Sequence, residues 1–384
     1  MVSHKHSKRR IGFLVNPIAG LGGRVGLKGT DGVTEEALRR GAQPVARERA
    51  SQFLETLLRI DPDATRAVWM TCPAPMGAGV TQAAGLTAEV LPMTLDSPTT
   101  AENTQEAVRL LLEHQVELIV FCGGDGTARD ILDALPDPEA VLVLGVPAGV
   151  KMYSGIFAFS AIAAAGVVAD WLKGETQVKD FEVMDADEEA IRDDRFAVRL
   201  YGYLRGPLVP ARMQGGKMVS PTSIDERENQ EAVARTVVEN MVSGDWYILG
   251  PGSTVRTLAD ELGVAKTLLG VDLYRSGSLI KDVNEEQLLQ EVTDFLHAWI
   301  VVSPIGHQGM LFGRGNQQIS PDIIRRIPPE QIIVIATHTK VNSLAERGLH
   351  VDTGDPKVDE MLSGYIRVLV DYRTWRMLKV KCGI

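Results

Sequence analysis

Gly123-Gly124-Asp125-Gly126-Thr127 follows the apolar run 116–122 and precedes residues 128–135, whose apolar positions have helical spacing. A strand, a glycine turn and a helix N-terminus form an arrangement that binds phosphate, because unpaired N–H groups and the helix dipole face the anion. Glycines also allow a backbone with φ > 0 and a close approach of the anion. The stretch therefore predicts a phosphate site in an α/β domain.

Asp125 is the unexpected member of this turn, because a carboxylate repels phosphate unless it binds a cation or takes up a proton. It is therefore interpreted as a partner of Mg²⁺ or as the base for an attacking hydroxyl group. The alternative is a plain strand-to-helix turn in which Asp125 and Thr127 cap the helix. Both interpretations place Asp125 at the start of the helix.

A second turn of the same kind is Gly252-Ser253-Thr254, which lies between the apolar run 246–249 and the helical spacing of 255–262. The two hydroxyl groups could donate hydrogen bonds to phosphate oxygens or simply cap the helix. Two turns suited to anions, one of them carrying a single Asp, are what a phosphoryl transfer between two polyanionic substrates requires.

Three stretches resemble known kinases. GGDGT (123–127) resembles the signature shared by the NAD kinases, the diacylglycerol and sphingosine kinases and, more loosely, the phosphofructokinases. The stretch 11–23, with its Asn-Pro and following glycines, is similar to the first strand and NP-x-x-G-x-G turn of these enzymes. Gly250-Pro251-Gly252-Ser253-Thr254 resembles the T-P-x-G-S-T loop of NAD kinases. Together with 302–320 and 351–355, they make the chain resemble the long divergent branch called ATP-NAD kinase family proteins.

The resemblance implies a kinase that uses ATP or polyphosphate, with Mg²⁺ accompanying ATP, and that phosphorylates a hydroxyl group, first of all the 2′-hydroxyl of NAD. NAD kinases also carry an Asn-Glu pair between the two loops, whereas Asn284-Glu285 follows the second loop here. Two alternatives therefore stay open: a kinase of another hydroxyl substrate, such as a lipid, a sugar or a small metabolite, and a nucleotide-binding regulator without catalysis.

The candidate site combines these turns. Asp125 is the candidate catalytic residue, and Asp125 with Asp130 could hold nucleotide-bound Mg²⁺; a solvated Arg129-Asp130 pair is the alternative. The candidate phosphate- and nucleotide-binding residues are Asn16, Gly20, Gly22, Gly123, Gly124, Gly126, Thr127, Lys151, Gly252, Ser253 and Thr254. Candidate counter-charges and cleft residues are Arg24, Lys28, His307 and Arg314, for which solvated loop positions are the competing interpretation.

Composition limits the class of protein. The 384 residues, 45% hydrophobic and 23% charged, suffice for two domains, which we expect at 1–176 (α/β, with a parallel sheet) and 177–384 (β-rich). A net charge of −10 disfavours a nucleic-acid partner. Three cysteines favour a reducing cytoplasm.

The uncharged run 152–169 is interpreted as a buried helix rather than a membrane span. We also expect a homo-oligomer.

Alternating patterns predict the order of elements in the first domain. Strands are expected at 11–15, 66–71, 116–122 and 141–146, with helices at 48–60 and 101–114 between them. Farther along, helical spacing predicts a helix over 285–300. Since ligands of open parallel sheets bind beyond the carboxyl ends of the strands, the turns at 16–26 and 123–127 should share one edge.

Overall fold

A parallel five-stranded sheet and its helices form the N-terminal part of the protein, which is called the first layer below. The computed structural model describes residues 9–23, 25, 37, 39, 41–42, 45–149, 152–186, 198–209, 212–213, 224–305, 309–344 and 348–382. Of the candidate residues, Arg24, Lys28, Lys151 and His307 lie outside these ranges. The strands of the first sheet are β1 (Arg10–Val15), β2 (Val68–Thr71), β3 (Ala88–Val90), β4 (Leu118–Gly123) and β5 (Leu142–Pro147). Its helices are α1 (Val45–Ile60), α2 (Ala78–Ala83), α3 (Ala101–Glu113), α4 (Asp125–Ala134) and α5 (Ala161–Leu172).

The strand order is β3-β2-β1-β4-β5, and every pair is parallel. All six residues of β4 are buried, as are five of the six in β1. A continuous apolar run is typical of a parallel strand covered by helices on both faces. The expected α/β domain with a parallel sheet is therefore confirmed, with strand bounds within two residues of those predicted.

The order of the strands fixes where a ligand can bind. The chain moves outward from β1 to β2 and β3, then returns to place β4 on the other side of β1. Connections on the two sides of this reversal diverge, and they leave a crevice beyond the carboxyl ends of β1 and β4. Asn16 directly follows β1 and donates its backbone N–H to Cys122 O at 2.9 Å, so the two predicted phosphate turns are neighbours.

The uncharged run 152–169 becomes an irregular segment followed by the buried helix α5. Ser160 caps this helix, its Oγ accepting a hydrogen bond from the Ala163 N–H at 3.0 Å. Nine of its residues are buried, which confirms the interpretation as a buried helix. Within the described part of the chain, no helix is both long and apolar enough to cross a membrane.

A hairpin follows, with β6 (Gln177–Ala186) and β7 (Val198–Leu208) paired antiparallel in a separate two-stranded sheet. It packs on the first layer: a Cβ added to Gly206 would lie 2.5 Å from Val143 O in β5, and one added to Gly202 would lie 2.7 Å from the Leu132 side chain in α4. The hairpin thus begins at the predicted start of the second domain but lies against the first. The boundary at 176 stays a prediction.

The second layer is a strand-rich mixed sheet, as expected for the β-rich half of the chain. Its strands are β8 (Trp246–Leu249), β9 (Asp272–Arg275), β10 (Ser278–Ile280), β11 (Ala298–Val302), β12 (Met310–Phe312), β13 (Ile332–Ile335), β14 (Leu349–Val351), β15 (Gly364–Asp371) and β16 (Thr374–Cys382). Their order is β10-β9-β8-β11-β13-β15-β16-β14-β12. The helices of this half are α6 (Ile224–Glu239), α7 (Ser253–Glu261), α8 (Glu285–Glu291), α9 (Pro321–Arg326), α10 (His338–Leu344) and α11 (Pro356–Leu362).

Strand direction reverses within this sheet. β8, β11, β13 and β15 are mutually parallel, β16 is antiparallel to β15, and β14 and β12 run parallel to β16. The carboxyl ends of β12 and β14 therefore lie at the opposite edge of the sheet from the carboxyl end of β8. Loops that follow these strands belong to different edges.

The expected helix over 285–300 is wrong in its second half. The helix α8 ends at Glu291, a single 3₁₀ turn follows at Phe295–His297, and Ala298–Val302 is the strand β11. β11 pairs with β8 on one side and β13 on the other. Because a short apolar run fits a buried strand as well as a helix, periodicity alone could not separate the two.

Buried contacts join the two layers. Arg49 of α1 forms an ion pair with Asp352, which follows β14; the Nη1–Oδ1 distance is 2.6 Å and both side chains are 7% exposed. Burial acts to lower the pKa of Arg49, but the charge of Asp352 outweighs it and the pKa is raised. The ring of Phe159 stacks on His350 at 4.7 Å between centroids. The described loops after β14 therefore face the first layer.

We predict that Arg49→Met lowers the free energy of unfolding by about 3–5 kcal/mol, because Asp352 is left as an unpaired buried charge. The double variant Arg49→Met, Asp352→Leu should recover much of that loss. Arg66→Met is the control, since Arg66 pairs with Asp63 on the surface and should cost little. Urea unfolding measures all three; equal losses in the single and double variants would contradict a buried pair.

Candidate active site

The glycines of the turn between β4 and α4 allow close packing against neighbouring atoms, and none of them has a left-handed backbone. Gly124 is the N-cap with φ −124° and ψ −168°, and φ is not positive at Gly123 or Gly126 either. The expected use of φ > 0 is therefore wrong. A Cβ on Gly123 would lie 2.5 Å from Thr127 Oγ1, and one on Gly124 would lie 3.3 Å from the Cα of Gly149. The turn is packed against its own helix and against the loop after β5.

Asn16 and Thr127 connect the two phosphate turns. Asn16 Nδ2 donates to Thr127 Oγ1 at 2.9 Å, and Asn16 Oδ1 accepts the backbone N–H of Ile18 at 3.2 Å. Thr127 is 2% exposed, and its hydroxyl also lies 3.4 Å from the N–H of Gly124. The structure thus brings together residues that the sequence could place only at the same edge.

Gly20 and Gly22 lie in the turn after β1, where both are buried. Gly20 has φ +81°, and an added Cβ would come 2.0 Å from Ala148 O, just beyond β5. The same turn reaches the second layer, since Gln317 Oε1 lies where a Cβ on Gly23 would sit. This turn therefore has room for glycine and for little else.

Asp125 is the first residue of α4, and its carboxylate holds a neighbouring segment of chain. Oδ2 accepts the backbone N–H of Tyr153 at 2.6 Å, and Oδ1 accepts that of Ser154 at 3.0 Å. Burial and the nearby charge of Asp125 raise the pKa of the Tyr153 phenol. Each carboxylate oxygen has two lone pairs, so a carboxylate can accept hydrogen bonds from a hydroxyl group or from water bound to a cation in addition to those from backbone N–H groups.

The carboxylate of Asp125 is a group that could help to hold an Mg²⁺ ion bound with ATP. Magnesium is usually held by one or two carboxylates together with substrate phosphates. Among the described residues no group of three or more His, Cys, Asp or Glu side chains could hold a metal ion, and Asp125 is the carboxylate at the turn. Asp130 lies five positions farther along α4, about 140° around the helix axis from Asp125. The two carboxylates therefore do not share a helix face.

Arg314 enters this region from the second layer. It belongs to the turn after β12, in which Asn316 Oδ1 accepts the N–H of Gly313 at 3.0 Å and Asn316 Nδ2 donates to Leu311 O at 2.9 Å. Arg314 Nη2 donates to Phe159 O at 2.7 Å. Burial, with a smaller contribution from Arg49, lowers the pKa of Arg314 to about 10, while Asp352 and Asp125 act in the opposite direction. The guanidinium is thus charged at neutral pH.

The turn Gly252-Ser253-Thr254 forms the N-terminus of α7, with Gly252 as N-cap at φ +115°. Ser253 Oγ lies 3.4 Å from Gln230 Nε2 of α6, and Thr254 is 1% exposed. Because this turn follows β8, it lies at the opposite edge of the second sheet from Arg314. The role of Gly252, Ser253 and Thr254 as phosphate-binding residues stays a prediction.

Two joined turns of the kind expected to bind phosphate, at the reversal point of a parallel sheet and with one carboxylate beside them, fit the requirements of a nucleotide-binding phosphotransferase. Comparison with protein families agrees with this class. The ATP-NAD kinase N-terminal domain matches residues 11–175, and the ATP-NAD kinase C-terminal domain matches residues 243–380. The chain therefore belongs to the ATP-NAD kinase family, and its domains are those of a kinase. A search of curated proteins gives no significant match.

We predict that Gly20→Ala weakens both the fold and nucleotide binding. A left-handed φ costs a residue with a Cβ about 1–2 kcal/mol, and the contact with Ala148 O adds to it. Gly41→Ala is a matched control, because Gly41 has a similar φ of +78° and nothing within 4 Å of an added Cβ. Urea unfolding and ATP calorimetry compare the two variants; equal losses would show that the contact with Ala148 has no effect.

Proposed function

We propose that this protein is a kinase that transfers the terminal phosphoryl group of ATP, or of a polyphosphate, to the 2′-hydroxyl of NAD and so forms NADP. The observation that carries the proposal is the hydrogen bond from Asn16 to Thr127, which joins the turn after β1 to the turn that begins with Gly123 and contains Asp125. Membership of the family supports NAD as the acceptor.

In this proposal the N–H groups at the start of α4 bind the phosphate chain. Asp125, already fixed by the N–H groups of Tyr153 and Ser154, orients the acceptor hydroxyl and takes its proton as the phosphoryl group is transferred. Mg²⁺ bound with ATP would offset the charge that builds up on the transferred group. Of the protein groups, Asp125 would contact its water shell, and the part of Asp130 in holding this Mg²⁺ stays a prediction.

The acceptor would be NAD or another hydroxyl substrate. Asn284-Glu285, the pair that might have replaced the Asn-Glu pair of NAD kinases, forms a helix start: Asn284 Oδ1 caps α8 by accepting the N–H of Gln287 at 2.8 Å. A different hydroxyl substrate therefore remains the second candidate. Asp125 is retained, which favours catalysis over a purely regulatory role. The expected absence of a nucleic-acid or membrane partner, the cytoplasmic setting and the homo-oligomer stay predictions.

A substrate panel tests the proposal directly. The purified chain is incubated with ATP and Mg²⁺, and ADP release is followed with NAD, NADH, diacylglycerol and several sugars. We expect release that depends on NAD, with NADP as the product. Release with a lipid or a sugar alone would assign the second candidate, and binding of ATP without release in any arm would indicate a regulator.

We predict that Asp125→Asn lowers turnover by about 10²-fold or more, since Asn can neither accept the proton nor carry the charge. The melting temperature should fall as well, because the amide NH₂ would face a backbone N–H that the carboxylate now accepts, a loss on the order of 1–3 kcal/mol. Asp133→Asn is the control: Asp133 is an exposed carboxylate of the same helix.

Steady-state kinetics well below the melting temperature of each variant separates the two effects. A folded Asp125→Asn protein with the turnover of the wild type would remove Asp125 from the chemistry. Asp133→Asn should match the wild type in both turnover and melting temperature, because the amide Oδ1 can still accept the 2.7 Å hydrogen bond from the Tyr201 hydroxyl.

A further inference from the structure

Arg314 is a buried cation with unused hydrogen-bonding capacity. The residue is 6% exposed, and its Nε has no hydrogen-bond partner within the described ranges. A buried donor without a partner costs about 1–3 kcal/mol, and more when the group is charged. In a folded protein such a donor is completed by bound water, an ion or a ligand, or it is kept as strain.

The surroundings of Arg314 indicate where that ligand lies. Its Nη2 donates to Phe159 O, and the segment that leads to Phe159 begins with Tyr153 and Ser154, whose N–H groups are held by Asp125. The charge of Asp125 also acts on the pKa of Arg314. The guanidinium therefore lies on the second-layer side of the same site.

The charges around Arg314 favour an anion. Arg49 and Asp352 form a close ion pair and largely cancel each other. Burial is the main cause of the lowered pKa of Arg314, and, beyond this pair, the charge of Asp125 also acts on the guanidinium to raise that pKa. The loop that carries it also reaches the turn after β1, because Gln317 lies against Gly23. An anion bound at the phosphate turns of the first layer is within the region that this loop covers.

We propose that Arg314 binds a phosphate group of the nucleotide, so that the second layer contributes a cation to the site built around Gly123–Thr127. The ligand class is a phosphate chain, either the triphosphate of the donor or the pyrophosphate of a dinucleotide acceptor. The inference rests on the proposed function for the identity of these nucleotides. A planar guanidinium suits this role, because it can donate two parallel hydrogen bonds to one phosphate.

Calorimetry on the full chain tests the assignment with three separate probes: inorganic triphosphate with Mg²⁺, ATP with Mg²⁺, and NAD. We expect Arg314→Gln to raise the Kd of the probe whose phosphate Arg314 binds by about 10- to 100-fold, because a hydrogen bond to a charged oxygen is lost. Arg314→Lys keeps the charge but cannot donate two parallel hydrogen bonds to one phosphate, so it should raise that Kd several-fold. Arg212→Gln is the control, since Arg212 pairs with Asp170 beside the same segment.

The pattern across the probes identifies the phosphate. Weaker binding of triphosphate and ATP assigns Arg314 to the donor, and weaker binding of NAD assigns it to the acceptor. Unchanged Kd values for all three probes in Arg314→Gln, with or without a lower melting temperature, would overturn the proposal and leave Arg314 as a contact to Phe159. If Arg314→Gln does not fold, unchanged values in Arg314→Lys overturn it equally.

Binding is measured without catalysis, so the two proposals fail separately. A wild-type protein that binds triphosphate but phosphorylates no NAD contradicts the proposed function alone, and the Arg314 variants then still decide the inference. A wild-type protein that phosphorylates NAD, with Arg314 variants that bind every probe normally, contradicts the inference alone.

Discussion

The carboxylate of Asp125 and the two backbone N–H groups that it accepts form the contact on which the rest of the site depends. They tie the first turn of α4 to Tyr153 and Ser154, which otherwise belong to an irregular segment. Ser154 Oγ in turn accepts the N–H of Met184 from the hairpin, and Phe159, a little farther on, accepts the hydrogen bond of Arg314. Asp125 thus holds one end of a segment that backbone hydrogen bonds also join to β5 and β6.

This contact also changes the interpretation of the role of Asp125. The sequence offered a choice between a chemical role and a helix cap, and the structure shows a third role, the fixing of another segment. That role is compatible with chemistry, because a carboxylate held by backbone N–H groups keeps a defined direction and still has lone pairs to offer. Stability and turnover are therefore coupled at this residue.

Local patterns were enough to predict the first domain. The apolar runs of β1 and β4 and the glycine turn before α4 are short-range features, and their adjacency follows from the parallel order. The short edge strand β3 carries the half-polar sequence Ala-Glu-Val and has no such pattern. The glycine loop around Arg314 made it a candidate cleft residue, but its contact with Phe159 could not be predicted, because it depends on the packing of β12 against the rest of the sheet.

The second half of the chain shows that a sequence motif predicts local structure but not its position in the fold. Gly252-Ser253-Thr254 does form the turn and helix start that its sequence predicts. Which edge of the sheet it occupies depends on the reversal between β15 and β16, more than a hundred residues farther along the chain. A motif specifies its own backbone, whereas its place relative to Asp125 is set by the topology. The helix wrongly expected over β11 has the same origin, since pairing with β8 and β13 decided that segment.

We propose that the nucleotide binds between the two layers, at the carboxyl edge of the first sheet. Hydrogen–deuterium exchange of the full chain, with and without ATP and Mg²⁺, tests this binding mode. We expect slower exchange on binding in three segments together: 16–23, 123–127 and 313–318. Protection confined to 250–257, or protection of the first-layer turns with no change at 313–318, would contradict it.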